Sequence, residues 1–156
     1  SAKVVVAGKG PELELLRSLA WELDVGQKVL FTGFISDDDR DCLFKVADCA
    51  VFPSLYEPFG IVALEAMAAK CPVVVSEVGG LKEVVQHAET GITVYPDDPS
   101  SLAWGVLHTL QHPKWSAARV ANAYRVVREE FNWEHIAGLT EEVYRQIIGE
   151  RAVVAW

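Results

Sequence analysis

The chain has 156 residues, 51% of them hydrophobic, which is enough for one domain with a proper core and too short for two full domains. A formal net charge of −8, with 14 Lys and Arg scattered among 22 Asp and Glu, argues against a general nucleic-acid or anionic-membrane surface, because both need clustered cations. Cys42, Cys49 and Cys71 are odd in number and lack C-x-x-C spacing, so reduced, buried, small apolar side chains are expected and a cytoplasmic setting fits. Short apolar runs rich in Val, Ile or Phe at residues 3–8, 28–33, 49–54, 72–76 and 91–95 predict buried strands. Helical patterns fall between them at 11–23, 38–47, 59–69 and 81–87. Alternation over residues 1–98 predicts an α/β fold with a doubly wound parallel sheet. From Pro99 the pattern is helical only, at 99–111, 113–131 and 133–148, with His112-Pro113 as punctuation, and these helices are expected outside the sheet. No signal peptide is visible, and no apolar run approaches the roughly 18 residues of a membrane span.

In open sheets of this kind ligands sit beyond the carboxyl ends of the strands, which directs attention to residues 8–10, 33–37, 54–60 and 76–80. Gly8-Lys9-Gly10-Pro11 resembles the start of a dinucleotide fingerprint, but Leu13 replaces the third glycine and no acid closes the next strand, so NAD is not expected. A phospho-receiver module is excluded because the third strand ends in Pro53-Ser54, without an aspartate. The Asp37-Asp38-Asp39-Arg40-Asp41 run suits the positive end of a helix. His87 is expected to close a helix, His108 and His135 to lie within helices, and none has metal-site spacing. Trp21, Trp104, Trp115, Trp133 and Trp156 are expected in core or interface packing.

The most informative stretch runs from Ser54 to Ala68, SLYEPFGIVALEAMA. Pro58, with a fixed φ and no amide hydrogen, suits a helix start with Glu57 just outside it, and Gly60 leaves room for close approach. The unsatisfied amides at such a start favour a diphosphate. Glu65 follows eight residues later, on the order of 12 Å or less along a helix of 1.5 Å rise, so one extended ligand reaches both acids. A carboxylate accepts two hydroxyl hydrogens at once, which suits a vicinal diol on either sugar of a sugar nucleotide. On residues alone, a helix-start proline and a solvated Glu65 form the plainer alternative.

The whole string resembles the E-x7-E motif of the retaining, GT-B fold glycosyltransferases that include bacterial and archaeal glycogen synthases. Gly8-Lys9-Gly10-Pro11-Glu12, Val29-Leu30-Phe31-Thr32-Gly33, Ala47-Asp48, Ser76-Glu77-Val78-Gly79-Gly80, Thr90-Gly91 and Phe131-Asn132-Trp133 resemble further landmarks of that family in family order. The resemblance implies a Rossmann-like C-terminal domain, a single nucleotide-sugar-binding unit over residues 1–156. Glu57, the catalytic-site candidate, would contact hydroxyls of the donor sugar. The backbone amides of Phe59, Gly60 and Ile61 would face the sugar and phosphates, Glu65 would bind the ribose diol, and the Ile35 backbone would meet the base. Gly79 and Gly80 would let their loop approach the donor, or simply make a tight turn before a helix.

The implied activity is transfer of a sugar, glucose as the best guess, from UDP-glucose or ADP-glucose to a hydroxyl acceptor with retention and without a metal or other cofactor. A nucleotide-sugar epimerase on the same architecture and a non-catalytic sensor module are the alternatives. The family also places an Arg and a Lys for the diphosphate in a strand–helix unit preceding Lys3, and the acceptor site in an N-terminal domain. The isolated chain is therefore expected to bind donors weakly and not to turn over, since electrostatic stabilisation of the leaving diphosphate is a large catalytic contribution. A sheet lacking that central strand could be covered by the tail 152–156 or by strand-edge pairing of two chains.

Overall fold

The computed structural model describes residues 2–153. Its order is β1 (Val4–Ala7), α1 (Leu13–Glu22), a 3-10 turn (Gly26–Lys28), β2 (Val29–Gly33), α2 (Asp37–Val46), β3 (Ala50–Phe52), α3 (Ile61–Ala68), β4 (Val73–Ser76), α4 (Leu81–Val84) and β5 (Ile92–Val94). Three helices follow: α5 (Pro99–Gln111), α6 (Pro113–Glu130) and α7 (Trp133–Val153). The parallel α/β class read from the alternation holds, and the strands form two ladders, β1–β2 and β3–β4–β5. Two compact units divide the chain within α2, the first ending at Cys42 and the second beginning at Leu43.

In the first unit β1 and β2 run parallel with Val4 opposite Val29, and the Gly8 amide donates to the Gly33 carbonyl at 2.8 Å. These strands were expected to be buried, yet Val4, Val5 and Leu30 are exposed, as are Leu15, Leu19, Trp21 and Leu23 of the helical segment. A two-stranded ladder beside a single helix has too little area to cover its own apolar faces. Ser36 caps α2: its hydroxyl accepts the Asp39 amide at 3.1 Å and donates to the Asp39 carboxylate at 2.7 Å. Asp37, Asp38 and Asp39 occupy that first turn, where the helix dipole favours them.

The second unit holds the core. β4 lies between β3 and β5, and all four of its residues are buried, which explains an uninterrupted Val73-Val74-Val75 run instead of alternation. Val73 and Val75 pack with Ala63, Leu64, Met67, Leu81 and Ala123, whereas Val74 packs with Ile92, Val94, Leu102 and Val106. Each face of the ladder is therefore covered by helices, as a doubly wound sheet requires. Met67, fully buried, is worth roughly 1.5–3 kcal/mol of burial free energy. Asp98 caps α5 by accepting the Ser100 and Ser101 amides at 2.9 Å, with Pro99 as the first helical residue.

Several local expectations change. Helix α4 ends at Val84, because Val85 is extended and the Gln86 amide donates to the Thr90 hydroxyl, so His87 lies beyond the helix and forms a parallel bridge with Gly91. Cys71 is buried and Cys49 half-buried, but Cys42 is exposed on α2. Trp21, Trp104, Trp115 and Trp133 are each at least half exposed, so core packing does not describe them, and Trp156 lies outside the described residues. Of the tail, α7 takes in Ala152 and Val153, while Val154-Ala155-Trp156 lies outside the described residues. Among the described residues no helix is long and apolar enough to cross a membrane.

Candidate functional site

The segment between β3 and α3 carries the first acid. α3 starts at Ile61, three residues later than Pro58 would set it, because Gly60 adopts a left-handed conformation at φ 94° and reverses the chain just before the helix. Residues 57–60 thus form a loop in front of α3. The half-buried Glu57 carboxylate folds back over it, and its Oε1 accepts the Gly60 amide at 3.2 Å. Gly60 is buried and its N–H, expected to face a ligand, donates here to Glu57. Phe59 and Ile61 remain exposed, and the amides of Ile61 and Val62, in the first turn, have no acceptor within their own helix.

Glu65 sits on α3 one turn beyond Ile61, on the helix's less buried stripe, while Ala63, Leu64, Ala66 and Met67 anchor the opposite side. The helix therefore carries Glu65 on the same side as the exposed Ile61 of its first turn. A short helix with four fully or nearly fully buried anchors is a rigid mount for that acid.

Gly79 and Gly80 form the second wall. The Gly80 amide donates to the Glu57 carbonyl at 2.9 Å. A β-carbon at Gly79, where φ is 41°, would run into the Glu57 carbonyl oxygen, and one at Gly80 would run into the Phe59 carbonyl. Each glycine therefore has a packing reason to lack a side chain. Both are bare so that the loop after β4 can lie directly against the backbone of residues 57–59 and fix the Glu57 peptide. Gly60 completes the contact, since a β-carbon there would meet Leu81 at 3.0 Å and Val84 at 3.4 Å.

Glu57, Phe59, Gly60, Ile61, Glu65, Gly79 and Gly80 are thus gathered around one loop and one helix of the second unit. Ile35, half-buried just before the Ser36 cap of α2, belongs to the first unit. Sequence reasoning missed the Glu57–Gly60 bond and the supporting role of the glycine pair. The signal available was an acid three residues before a glycine at a helix start, the spacing of a side-chain cap. Among the described residues no group of three or more His, Cys, Asp or Glu could hold a metal ion.

Comparison with known proteins identifies the family. The family model for group 1 glycosyl transferases matches residues 1–126. An uncharacterised glycosyltransferase of Methanocaldococcus jannaschii is 49% identical over 145 residues, covering 93% of this chain and 37% of that protein. The glycogen synthase of Mycobacterium tuberculosis is 37% identical over 141 residues, covering 90% of this chain and 34% of its own length. The structure of sucrose-phosphate synthase from Thermosynechococcus elongatus superposes with a TM-score of 0.81 at 36% identity, covering 94% of this chain and 38% of that one. The chain spans little more than a third of each. With a fold, a motif and a family match that agree along most of its length, the chain belongs to the group 1 glycosyltransferase family.

Proposed function

We propose that residues 1–156 form the donor-binding, C-terminal domain of a retaining GT-B glycosyltransferase that moves a sugar, glucose by our reading, from a nucleoside diphosphate to a hydroxyl acceptor. The observation that carries the reading is the bond from the Gly60 amide to Glu57 Oε1. It holds the carboxylate at the mouth of α3 and leaves its second oxygen for a sugar hydroxyl. Glu65, a turn deeper on α3, takes the ribose diol, and the first-turn amides of the helix take the diphosphate. Glucose is favoured by the likeness to a glycogen synthase and a sucrose-phosphate synthase. Acceptor binding and the cations that stabilise the leaving diphosphate are assigned to a further domain and a further strand–helix unit of the whole enzyme, so this chain binds donor weakly and does not turn over by itself. No metal or other cofactor is required by this scheme, and a cytoplasmic location fits its substrates.

Calorimetric titration of the chain with UDP, ADP and GDP, each with and without attached glucose, tests the reading. Binding of one base that Glu65→Ala abolishes for nucleotide and sugar nucleotide alike, with Glu57→Ala weakening only the glucose-bearing ligand, is the expected result. Equal losses for UDP and UDP-glucose in the Glu57 variant would sink the role given to Glu57.

A further inference from the structure

The edge of the three-stranded ladder carries an open cleft of about 610 Å³, lined by Glu77 just after β4, Thr93 and Tyr95 along and after β5, His87, and Asp98 and Trp104 of the α5 segment. The volume lies within the range of small-molecule sites and is enough for a disaccharide. Its walls are held in place by the fold. The Thr93 amide donates to His87 Nδ1 at 3.2 Å, and the Thr93 hydroxyl lies 3.0 Å from the same atom. An amide can only donate, so Nδ1 is the acceptor here and Nε2 is left as the donor. The pinned imidazole stacks on Trp104, with centroids 6.5 Å apart and planes 14° from parallel. On the other side the Tyr95 amide donates to the Ser101 hydroxyl at 3.0 Å, and Asp98 Oδ1 is fixed by two helix amides.

What the walls leave uncommitted defines the ligand. The Glu77 carboxylate, which has no hydrogen bond or ion pair among the described residues, and Asp98 Oδ2 are free acceptors. His87 Nε2–H is a donor, and the Tyr95 hydroxyl is both. Tyr95 and Trp104 remain 69% and 50% exposed and offer apolar ring surface. Among the described residues no Lys or Arg lines the cleft, and two carboxylates do, so a phosphate or nucleotide is repelled. A neutral molecule with apolar C–H faces and a rim of hydroxyls satisfies both the rings and the acceptors. From this juxtaposition we infer that the cleft is a second carbohydrate site, taking a neutral oligosaccharide beside and independent of the donor nucleotide. The inference rests on the reading of the chain as part of a sugar-transferring enzyme.

Titration of the ¹⁵N-labelled chain with maltotriose, followed by NMR, tests it. The expected result is saturable shifts of the Tyr95 amide and the Trp104 indole N–H, unchanged by saturating UDP and by Glu65→Ala. Glu77→Gln and Tyr95→Ala, both at exposed positions, each weaken maltotriose about fivefold, the size of one lost hydrogen bond or contact. Three results overturn the inference: no shifts at tens of millimolar sugar, shifts confined to residues 54–80, or shifts reproduced by spermidine and erased by salt, which would make the cleft a cation site. UDP binding without maltotriose binding removes only the second site, whereas maltotriose binding without any nucleotide binding removes the donor reading and leaves the cleft.

Discussion

The Glu57 carbonyl oxygen receives the Gly80 amide at 2.9 Å, and the same oxygen occupies the space that a side chain at Gly79 would need. Two loops that follow different strands are thereby locked backbone to backbone around the acid proposed to touch the sugar.

Gly79→Ala and Gly80→Ala are therefore expected to lower stability by about 1–3 kcal/mol each through overpacking, with an added cost at Gly79 from its positive φ. Because the displaced atoms belong to Glu57 and Phe59, donor binding should fall in both variants. Urea denaturation paired with nucleotide titration at a temperature where the variants remain folded separates the two effects.

A second glycine pair gives opposite signs on one substitution. At Gly105 in α5 an added β-carbon would stand 2.6 Å from Val94, 3.0 Å from Val74 and 3.2 Å from Ile92, whereas at Gly138 in α7 nothing lies within 4 Å. Gly138→Ala should stabilise by up to about 1 kcal/mol through helix propensity. Gly105→Ala should destabilise by about 1–3 kcal/mol, because the β4–β5 face cannot yield a methyl's width. Chemical denaturation of both variants measures the contrast, and equal gains would show that α5 is not packed on the sheet at Gly105.

Thiol chemistry should distinguish the cysteines. Burial, aided by the neighbouring Cys71, pushes the Cys49 thiol up to about 12, and burial pushes Cys71 to about 11, while Cys42 is exposed. The thiolate is the reactive form. With Ellman's reagent at pH 8 the native chain should release a fast burst equal to a single thiol, lost in Cys42→Ser, and the other two only on denaturation.

His108 makes stability depend on pH. Its ring lies 4.5 Å from His112, 5.2 Å from Trp104 and 5.7 Å from Trp115, and its Nδ1 is buried without a partner. Burial first, then the charges of His112, Arg119 and His87, hold its pKa below the usual 6.5. The folded state therefore binds fewer protons than the unfolded one. The stability carried by neutral His108 is complete above pH 6.5 and is lost as the pH falls through the folded pKa. Denaturation curves between pH 5 and 7.5 should show a shallower fall for His108→Phe, which keeps a ring without a titrating nitrogen, than for the parent chain.

Sequence by itself determined the alternation of β1 through β5 with helices, the helical run from Pro99, and the placing of Glu57 and Glu65 around one strand-to-helix turn. These are local matters: apolar periodicity, caps such as Ser36 and Asp98, and proline punctuation act within a few residues. Tertiary structure alone decided the rest. It moved the start of α3 from Pro58 to Ile61 and committed the Gly60 amide to Glu57. It also packed Gly79 and Gly80 directly against residues 57–59. The packing of Gly79 and Gly80 depends on which backbone atoms of distant segments come within van der Waals contact. The same is true of exposure: the Val-rich β1 reads like the Val-rich β4, yet only β4 has a strand on each side and helices on both faces. A sequence carries the hydrophobicity of a segment, but the area removed from water belongs to the neighbours it acquires on folding.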